Sequence, residues 1–239
     1  MTRISQNLQA VHTAMVAAVR AASRAADGIQ LLAVSKTFGP EAVLEAVRAG
    51  QMAFGENYLQ EALDKMAAVG AALQQEQNTL PLLEWHFIGP IQSNKTRPIA
   101  EHFDWVHTVE REKIAHRLSE QRPPHLAPLN ICLEVNISGE SSKSGVAPED
   151  LAALVQTVAA MPRLRLRGLM AIQEPVAGFD MQRKSFARLR QLFENLNAQG
   201  CGLDTLSMGM SADMAAAIAE GATIVRVGSA IFGQRNYEK

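Results

Sequence analysis

The sequence predicts an α/β protein: a single (β/α)8 TIM barrel with an extra N-terminal helix. Short apolar runs alternate with longer amphipathic stretches, and eight such runs follow one another along the 239 residues. The runs are nearly continuous in apolar residues, which is typical of parallel strands buried on both faces. Eight βα units in roughly 250 residues is the usual size of this barrel. An open doubly wound sheet competes, but no G-x-G-x-x-G turn follows the first run.

The elements are predicted in order from apolar runs and helix-start residues. A first helix covers roughly residues 2–25, where Gln, His and Arg interrupt the apolar pattern, so a signal peptide or spanning helix is not expected. The predicted strands are Ile29–Ser35, Met52–Phe54, Leu83–Ile88, Asp104–Thr108, Leu129–Asn136, Leu164–Met170, Thr205–Leu206 and Thr223–Val227. Helices are predicted to begin near Pro40, Asn57, Ser93, Glu110, Pro148, Asp180 and Ser211. Because no linker rich in Pro, Gly or Ser interrupts this pattern, residues 1–239 are predicted to form one domain.

Composition excludes several classes of protein. Lys and Arg number 23 against 24 Asp and Glu, so no basic field is available for nucleic acid or an anionic membrane. The two cysteines, Cys132 and Cys201, lie far apart, which supports neither a disulfide framework nor a zinc site. The expected compartment is the cytoplasm.

Functional side chains of such a barrel lie where strands end and βα loops begin. The residues at those positions are Lys36, Asn57, His86, His107, Asn136, Met170, Ser207 and Gly228. Lys36 is either a solvated lysine at a strand terminus, the commoner role, or a desolvated amine that attacks a carbonyl. Its spacing alone does not decide between the two. His86 and His107 are each more typical of satisfied core or rim histidines than of catalysts.

The last two strand-to-helix turns predict an anion site. The segment TLSMGMSADM places Ser207, Gly209 and Ser211 in a tight turn, and Gly228 and Ser229 follow the eighth strand. Small residues, hydroxyls and the free N–H groups of a helix start bind anions. Each turn alone is an ordinary helix cap, but phosphate sites recur at this location in barrel enzymes. Together the two turns favour a phosphate.

Arg226 is the charged residue in the apolar eighth strand. A guanidinium inside the barrel needs a partner, either a carboxylate such as Glu134 or an acceptor on a ligand. A lysine on the first strand, two phosphate-type turns and this arginine match the needs of pyridoxal 5′-phosphate. The lysine would bind its aldehyde, the turns its phosphate and the arginine its ring nitrogen.

Several segments resemble the pyridoxal phosphate homeostasis protein family, whose barrel is related to the N-terminal domain of bacterial alanine racemase. They are AVSKT (33–37), FGENYLQEALDK (54–65), WHFIGPIQSNKTR (85–97), EVNISGESSKSG (134–145), RGLMAI (167–172), LSMGMSADM (206–214) and VRVGSAIFGQRNY (225–237). The resemblance therefore covers nearly the whole chain. One departure is Phe38–Gly39–Pro40, where the family more often has a Lys-Pro pair, which leaves the shape of the first βα loop undetermined.

The resemblance implies a cofactor-binding barrel in which Lys36 carries pyridoxal phosphate as an internal aldimine and Arg226 meets the ring nitrogen. The other residues that it places around the cofactor are Asn57, His86 and Met170 beside it, and Ser207, Gly209, Ser211, Gly228 and Ser229 at the phosphate. The polar loop 138–145 is a candidate gate for this pocket.

Two functions from different classes remain open: a protein of intracellular vitamin B6 homeostasis, and an amino acid racemase. In the alanine racemase family a tyrosine, aided by a second domain, supplies the second acid–base group. This chain has only Tyr58 and Tyr237, and thirteen residues follow Arg226, which leaves no room for that domain. We therefore expect a monomeric carrier that serves pyridoxal phosphate-dependent apo-enzymes, with racemisation as a minor activity at most. A metal-dependent aldolase would need carboxylates clustered at strand ends, and the sequence does not place them there.

Overall fold

The computed structural model describes residues 2–25, 28–76, 82–138 and 143–234. Eight parallel strands close into a barrel in chain order, and helices lie between them, which confirms the predicted (β/α)8 fold. The barrel closes where β1 pairs with β8, from Gln30 opposite Ile224 to Ala33 opposite Val227. In the described part of the chain, no helix has the length and apolar character needed to cross a bilayer.

The strands are β1 Gln30–Val34, β2 Ala53–Glu56, β3 Glu84–Phe87, β4 Trp105–Val109, β5 Leu129–Glu134, β6 Leu164–Met170, β7 Thr205–Ser207 and β8 Ile224–Val227. The α-helices are α1 Arg3–Ala21, α2 Pro40–Arg48, α3 Leu59–Gln75, α4 Thr96–His102, α5 Glu112–Gln121, α6 Leu151–Ala159, α7 Phe179–Ala198, α8 Met214–Ala219 and α9 Ser229–Phe232. A 3₁₀ turn, Ser93–Lys95, precedes α4.

The barrel has two separate apolar cores, because successive side chains of a strand point to opposite faces of the sheet. The larger core lies between the outer face of the barrel and the surrounding helices. The smaller one fills the barrel interior and consists of Leu32, Val34, Ala53, Ile88, Trp105, Cys132, Met170 and Ile224. Buried polar side chains share that interior, and they organise the site described below.

The extra N-terminal helix α1 is part of the helical layer. Its apolar residues Leu8, Val11, Met15 and Val19 recur at helical spacing and are buried, and the helix contacts α2, α8 and α9. Thr2 caps its start by accepting a hydrogen bond from the Ser5 amide, as N-cap threonines do. The expected helix is thus present, and it packs against the last helices of the chain.

Two strands end later than the sequence predicts. β2 extends to Glu56 and β4 to Val109, beyond the predicted ends. Glu56 is a fully buried charged residue at the end of β2, so a criterion based on apolar runs ended that strand too early. α8 begins at Met214 rather than Ser211, because the turn is closed by Asp213, whose carboxylate accepts from the Met210 amide at 2.6 Å.

The close pairing of β6 with β7 requires a glycine at position 168. A Cβ atom there would lie 1.7 Å from the carbonyl oxygen of Thr205, its partner in the ladder. We expect Gly168→Ala to destabilise the fold by about 3 kcal/mol, at the upper end of overpacking costs. The matched control is Gly70→Ala in α3, where a Cβ meets nothing within 4 Å; helix propensity should make it stabilising by about 0.5–1 kcal/mol. Chemical denaturation of both variants checks this, and equal stabilities would contradict it.

Candidate functional site

A cavity of about 620 Å³ opens at the carboxyl ends of the strands. It brings together most of the predicted site residues: Lys36, Asn57, Met170, Ser211, Arg226, Gly228 and Ser229. The remaining lining residues, which the sequence did not single out, are Val34, Ile88, Ile172, Met210, Ala212 and Gln234. The cavity therefore combines basic and hydroxyl groups with a largely aliphatic lining.

Three predicted residues do not line this cavity. His86 is completely buried inside the barrel, where its Nδ1 atom lies 2.8 Å from Nε2 of His107. Ser207 is also completely buried, and it contacts Arg226 from behind the cavity. Gly209 shapes the turn: its φ is +93°, and a Cβ there would lie 2.4 Å from that of Ala217. These residues support the cavity without forming its surface.

The backbone before Lys36 is fixed by a buried ion pair. The Nζ atom of Lys65, on α3, donates to the Ser35 carbonyl at 2.8 Å and to Glu56 Oε1 at 2.6 Å. The Ser35 hydroxyl donates to the same Glu56 oxygen at 2.6 Å. Burial raises the pKa of Glu56, and the nearby Lys65 opposes that rise. Because removing one partner of a buried pair leaves a desolvated charge, the arrangement resists displacement.

The backbone after Lys36 is held by the same helix. Thr37 adopts the left-handed conformation at φ 69°, and its amide donates to Glu61 Oε1 at 2.6 Å. Lys65 also contacts Glu61, at 2.9 Å. Sequence reasoning missed this network. Its signal was the i,i+4 spacing of Glu61 and Lys65 directly after the Glu56 strand end, a spacing that places the two side chains on one helix face.

Arg226 is 6% exposed and is held by oxygens of neighbouring strand ends. Its Nη1 donates to the Ser207 carbonyl at 2.7 Å and to the Ser207 hydroxyl at 2.9 Å. Its Nη2 donates to the Ala171 carbonyl at 3.0 Å. The suggested ion pair with Glu134 is not formed in the described structure, because these closer oxygens take the donors; Glu134 acts on Arg226 only through a longer-range attraction. Burial lowers the pKa of Arg226 to about 10, so it stays cationic at neutral pH.

A second cavity of about 520 Å³ adjoins the first, and Asn57 lines both. Glu134, 7% exposed at the end of β5, lines this second cavity together with Lys95, Glu110 and Arg111. Burial, reinforced by the negative charge of Glu110, raises the pKa of Glu134 to about 7. The carboxyl group therefore exchanges a proton near neutral pH beside the first cavity.

Comparison with known proteins agrees with this geometry. The fold and the cavity define a class of protein: a barrel that carries an amine and a buried guanidinium at its strand ends. A family model described as "Alanine racemase, N-terminal domain" matches residues 10–236 of this chain. A relative from Pseudomonas aeruginosa is 60% identical over 237 residues, covering 99% of this chain and 98% of its own length, and one from Vibrio cholerae is 51% identical, covering 100% and 99%. Both are named pyridoxal phosphate homeostasis protein. The chain belongs to this family, which confirms the resemblance seen in its motifs.

Solved structures share the barrel. PipY from Synechococcus elongatus, solved with PLP bound, superposes with a TM-score of 0.82 at 35% identity, covering 96% of this chain and all of its own. An alanine racemase from Clostridium difficile has a TM-score of 0.64 at 13% identity, and the match covers 95% of this chain but 57% of the racemase. The second likeness concerns the fold alone.

The raised pKa of Glu134 predicts a pH-dependent stability. A folded-state pKa of about 7 against the ordinary 4.5 means that the folded protein binds the proton more tightly. This contribution is complete below pH 4.5 and is lost as the pH rises through 7. Glu134→Gln, which stays neutral, should therefore gain stability over the natural protein between pH 5 and 8, by up to about 3 kcal/mol. Urea denaturation across this range measures the difference. Glu149→Gln, at an exposed position, is the control, and a gap that does not widen with pH would refute the prediction.

Proposed function

We propose that this protein binds pyridoxal 5′-phosphate covalently at Lys36 and takes part in its intracellular homeostasis. The observation that carries the proposal is the one cavity that holds the Lys36 amine, the Arg226 guanidinium and the Ser211 and Ser229 hydroxyls together. The names of the relatives and the PLP-bound PipY structure support it.

The residues present fit this cofactor. About 620 Å³ is within the range of cofactor pockets, which are mostly apolar with a few placed polar groups. Ser229 begins α9, and the first amides of a helix lack partners within it. The Oδ1 atom of Asn57 is buried with no hydrogen-bond partner among the described residues, so an acceptor is available to a ligand that donates a hydrogen bond.

Each part of the cavity has a role in this proposal. When bound, the cofactor supplies an aldehyde that condenses with amines and a ring that withdraws electrons. Lys36 would hold it, and the Ser211, Gly228 and Ser229 turns would bind its phosphate. Val34, Ile88 and Met170 would exclude water from one side. Arg226, kept cationic and already bound to Ser207, would disfavour a proton on the ring nitrogen if it faces that atom.

The same features support a carrier rather than an enzyme. Without a proton on its ring nitrogen the cofactor stabilises a carbanion less well. No tyrosine lines the cavity within the described ranges: Tyr58 is 53% exposed and lines the second cavity, and Tyr237 lies outside the described residues. Residues 139–142 of the loop 138–145, the predicted gate of the pocket, also lie outside the described residues. The alternative, an amino acid racemase, draws on the shared family model and a distant barrel likeness.

The proposal includes the cellular setting. Residues 1–239 would act as one domain and as a monomer. Both cysteines are free, as is usual for cytoplasmic proteins. The recipients of the cofactor would be pyridoxal phosphate-dependent apo-enzymes. Light scattering after size-exclusion chromatography tests the monomer, and a stable dimer would refute that part.

Borohydride reduction tests the covalent site. Reduction in the presence of pyridoxal phosphate should add one pyridoxyl group to the natural protein, located by peptide mass spectrometry at Lys36. Lys36→Ala should lose that adduct because the reacting amine is gone. Lys184→Ala, an exposed lysine on α7, is the matched control and should keep it. An adduct on another lysine in both natural protein and Lys36→Ala would overturn the assignment.

A panel of single-enantiomer amino acids tests the absence of enzymatic activity. With excess cofactor we expect racemisation far below ordinary enzyme turnover, because the cavity lacks a second acid–base group from a described tyrosine. Chiral chromatography measures the product. Turnover of about 1 per second or faster would establish the racemase instead.

A further inference from the structure

A line of polar side chains crosses the barrel interior from the amino-terminal end of β3 to the cavity. Oε1 of Glu84 lies 2.8 Å from Nε2 of His86, and Nδ1 of His86 lies 2.8 Å from Nε2 of His107. Nδ1 of His107 lies 2.8 Å from the Ser207 hydroxyl, which lies 2.9 Å from Nη1 of Arg226. Both imidazoles and Ser207 are completely buried, and Glu84 is half-exposed. Every link is at hydrogen-bond distance, but the Glu84–His86 contact has the distance of an ion pair without hydrogen-bond alignment in this structure.

The two ends of this line fix the direction of every hydrogen bond in it. A guanidinium only donates, so the Ser207 oxygen accepts from Arg226 and its own proton is available to His107. An ionised carboxylate only accepts, so Nε2 of His86 carries a proton toward Glu84. A neutral His86 then accepts at Nδ1 from Nε2 of His107, whose Nδ1 accepts from Ser207. Donation runs one way, from the cation to the anion.

We propose that Glu84, His86, His107 and Ser207 form a one-directional relay that positions Arg226 and balances its charge. The hydrogen bonds of the relay do not depend on the proposed function. Only their purpose does, which is to fix the guanidinium that would face the cofactor. The relay makes the four residues positioning residues, since only Arg226 lines the cavity. His86 and His107, which looked like isolated histidines in the sequence, act as one unit: both nitrogens of His107 and Nδ1 of His86 lie at hydrogen-bond distance from a neighbour, and Nε2 of His86 lies 2.8 Å from the Glu84 carboxylate.

Burial supports the neutral histidines that the relay requires. It lowers the pKa of His86, and it lowers that of His107 well below the ordinary value, aided by the charge of Arg226. The hydrogen bond with His86 lowers the pKa of Glu84, which keeps the carboxylate ionised. The other charged or titratable groups that act on the relay are Asp104 on His86, and Cys132, Glu134 and Asp213 on Arg226. The Trp105 ring stacks on His86 at 5.3 Å between centroids.

The relay makes the two ends of the barrel interdependent. A proton added to His86 would force its Nδ1–H to donate to His107, and His107 would then donate to Ser207. The Ser207 oxygen would accept from both His107 and Arg226, and its own proton would turn away from His107. If Glu84 loses its charge, the proton of His86 is no longer held on Nε2, and the direction of hydrogen-bond donation along the relay is no longer fixed. Changes at the partly exposed Glu84 should therefore reach the guanidinium at the cavity.

Nitrogen NMR of the imidazoles in cofactor-free protein tests the relay directly. Long-range proton–nitrogen correlation identifies the tautomer of each histidine, and we expect neutral Nε2–H forms for both His86 and His107 at neutral pH. Single His86→Gln and His107→Gln variants assign the signals. An Nδ1–H tautomer or a charged ring at either position overturns the proposal. This readout needs no cofactor, so it remains informative if the proposed function fails.

A matched pair of carboxylate variants tests the coupling to Arg226. Glu84→Gln keeps shape but removes the anion, and Glu101→Gln removes a similarly half-exposed anion on α4 as control. Because the glutamine amide can either accept or donate, we expect Glu84→Gln alone to leave the histidine tautomers mixed and to shift the side-chain NMR signals of Arg226. With cofactor, it alone should weaken affinity about fivefold, the size of one ordinary hydrogen bond, and move the pH profile of the cofactor absorption band. Identical Arg226 signals in the two variants overturn the relay; a missing absorption band in the natural protein overturns only the proposed function.

Discussion

The burial of the Arg226 guanidinium at the end of β8 is the constraint around which the barrel interior is arranged. A cation in a closed, mostly apolar barrel is tolerated only if nearby oxygens replace water. The Ser207 and Ala171 carbonyls and the Ser207 hydroxyl meet this requirement. They come from β7 and from the segment just after β6, so the order and register of the last three strands are tied to one side chain.

That requirement also explains why the interior is not uniformly apolar. Aliphatic and aromatic side chains fill most of the interior. The remaining space is occupied by a path of polar side chains, in which His86 and His107 lie side by side. Buried imidazole nitrogens need polar neighbours, and Nδ1 of His86 and both nitrogens of His107 lie 2.8 Å from a neighbour on the path. The polar and apolar side chains of the interior are in direct contact: Trp105 belongs to the apolar cluster, and its ring stacks on that of His86.

The two basic groups of the cavity are fixed by different means. Arg226 is held through its own side chain, whereas the segment that carries Lys36 is held through the backbone of Ser35 and Thr37 by α3. A buried ion pair such as Lys65 with Glu56 is weak evidence of added stability, but it does fix geometry. A preformed cavity loses less conformational entropy on binding. An alanine racemase of 13% sequence identity has a similar barrel, and a fold by itself does not specify a function.

The sequence by itself determined the barrel, its strand order and most of the residues around the cavity, because buried parallel strands are apolar and their ends are where small and charged residues appear. Lys36, Asn57, Met170 and Arg226 were found this way, and they do line one cavity. Only the tertiary structure decided that Ser207 and His86 lie beneath it, that Arg226 binds Ser207 rather than Glu134, and that Lys65 holds the strand end before Lys36. These contacts join residues that are distant in sequence, His107 and Ser207 being 100 positions apart. Local patterns reveal which face a side chain occupies, but the partner across the barrel is set by strand register and closure.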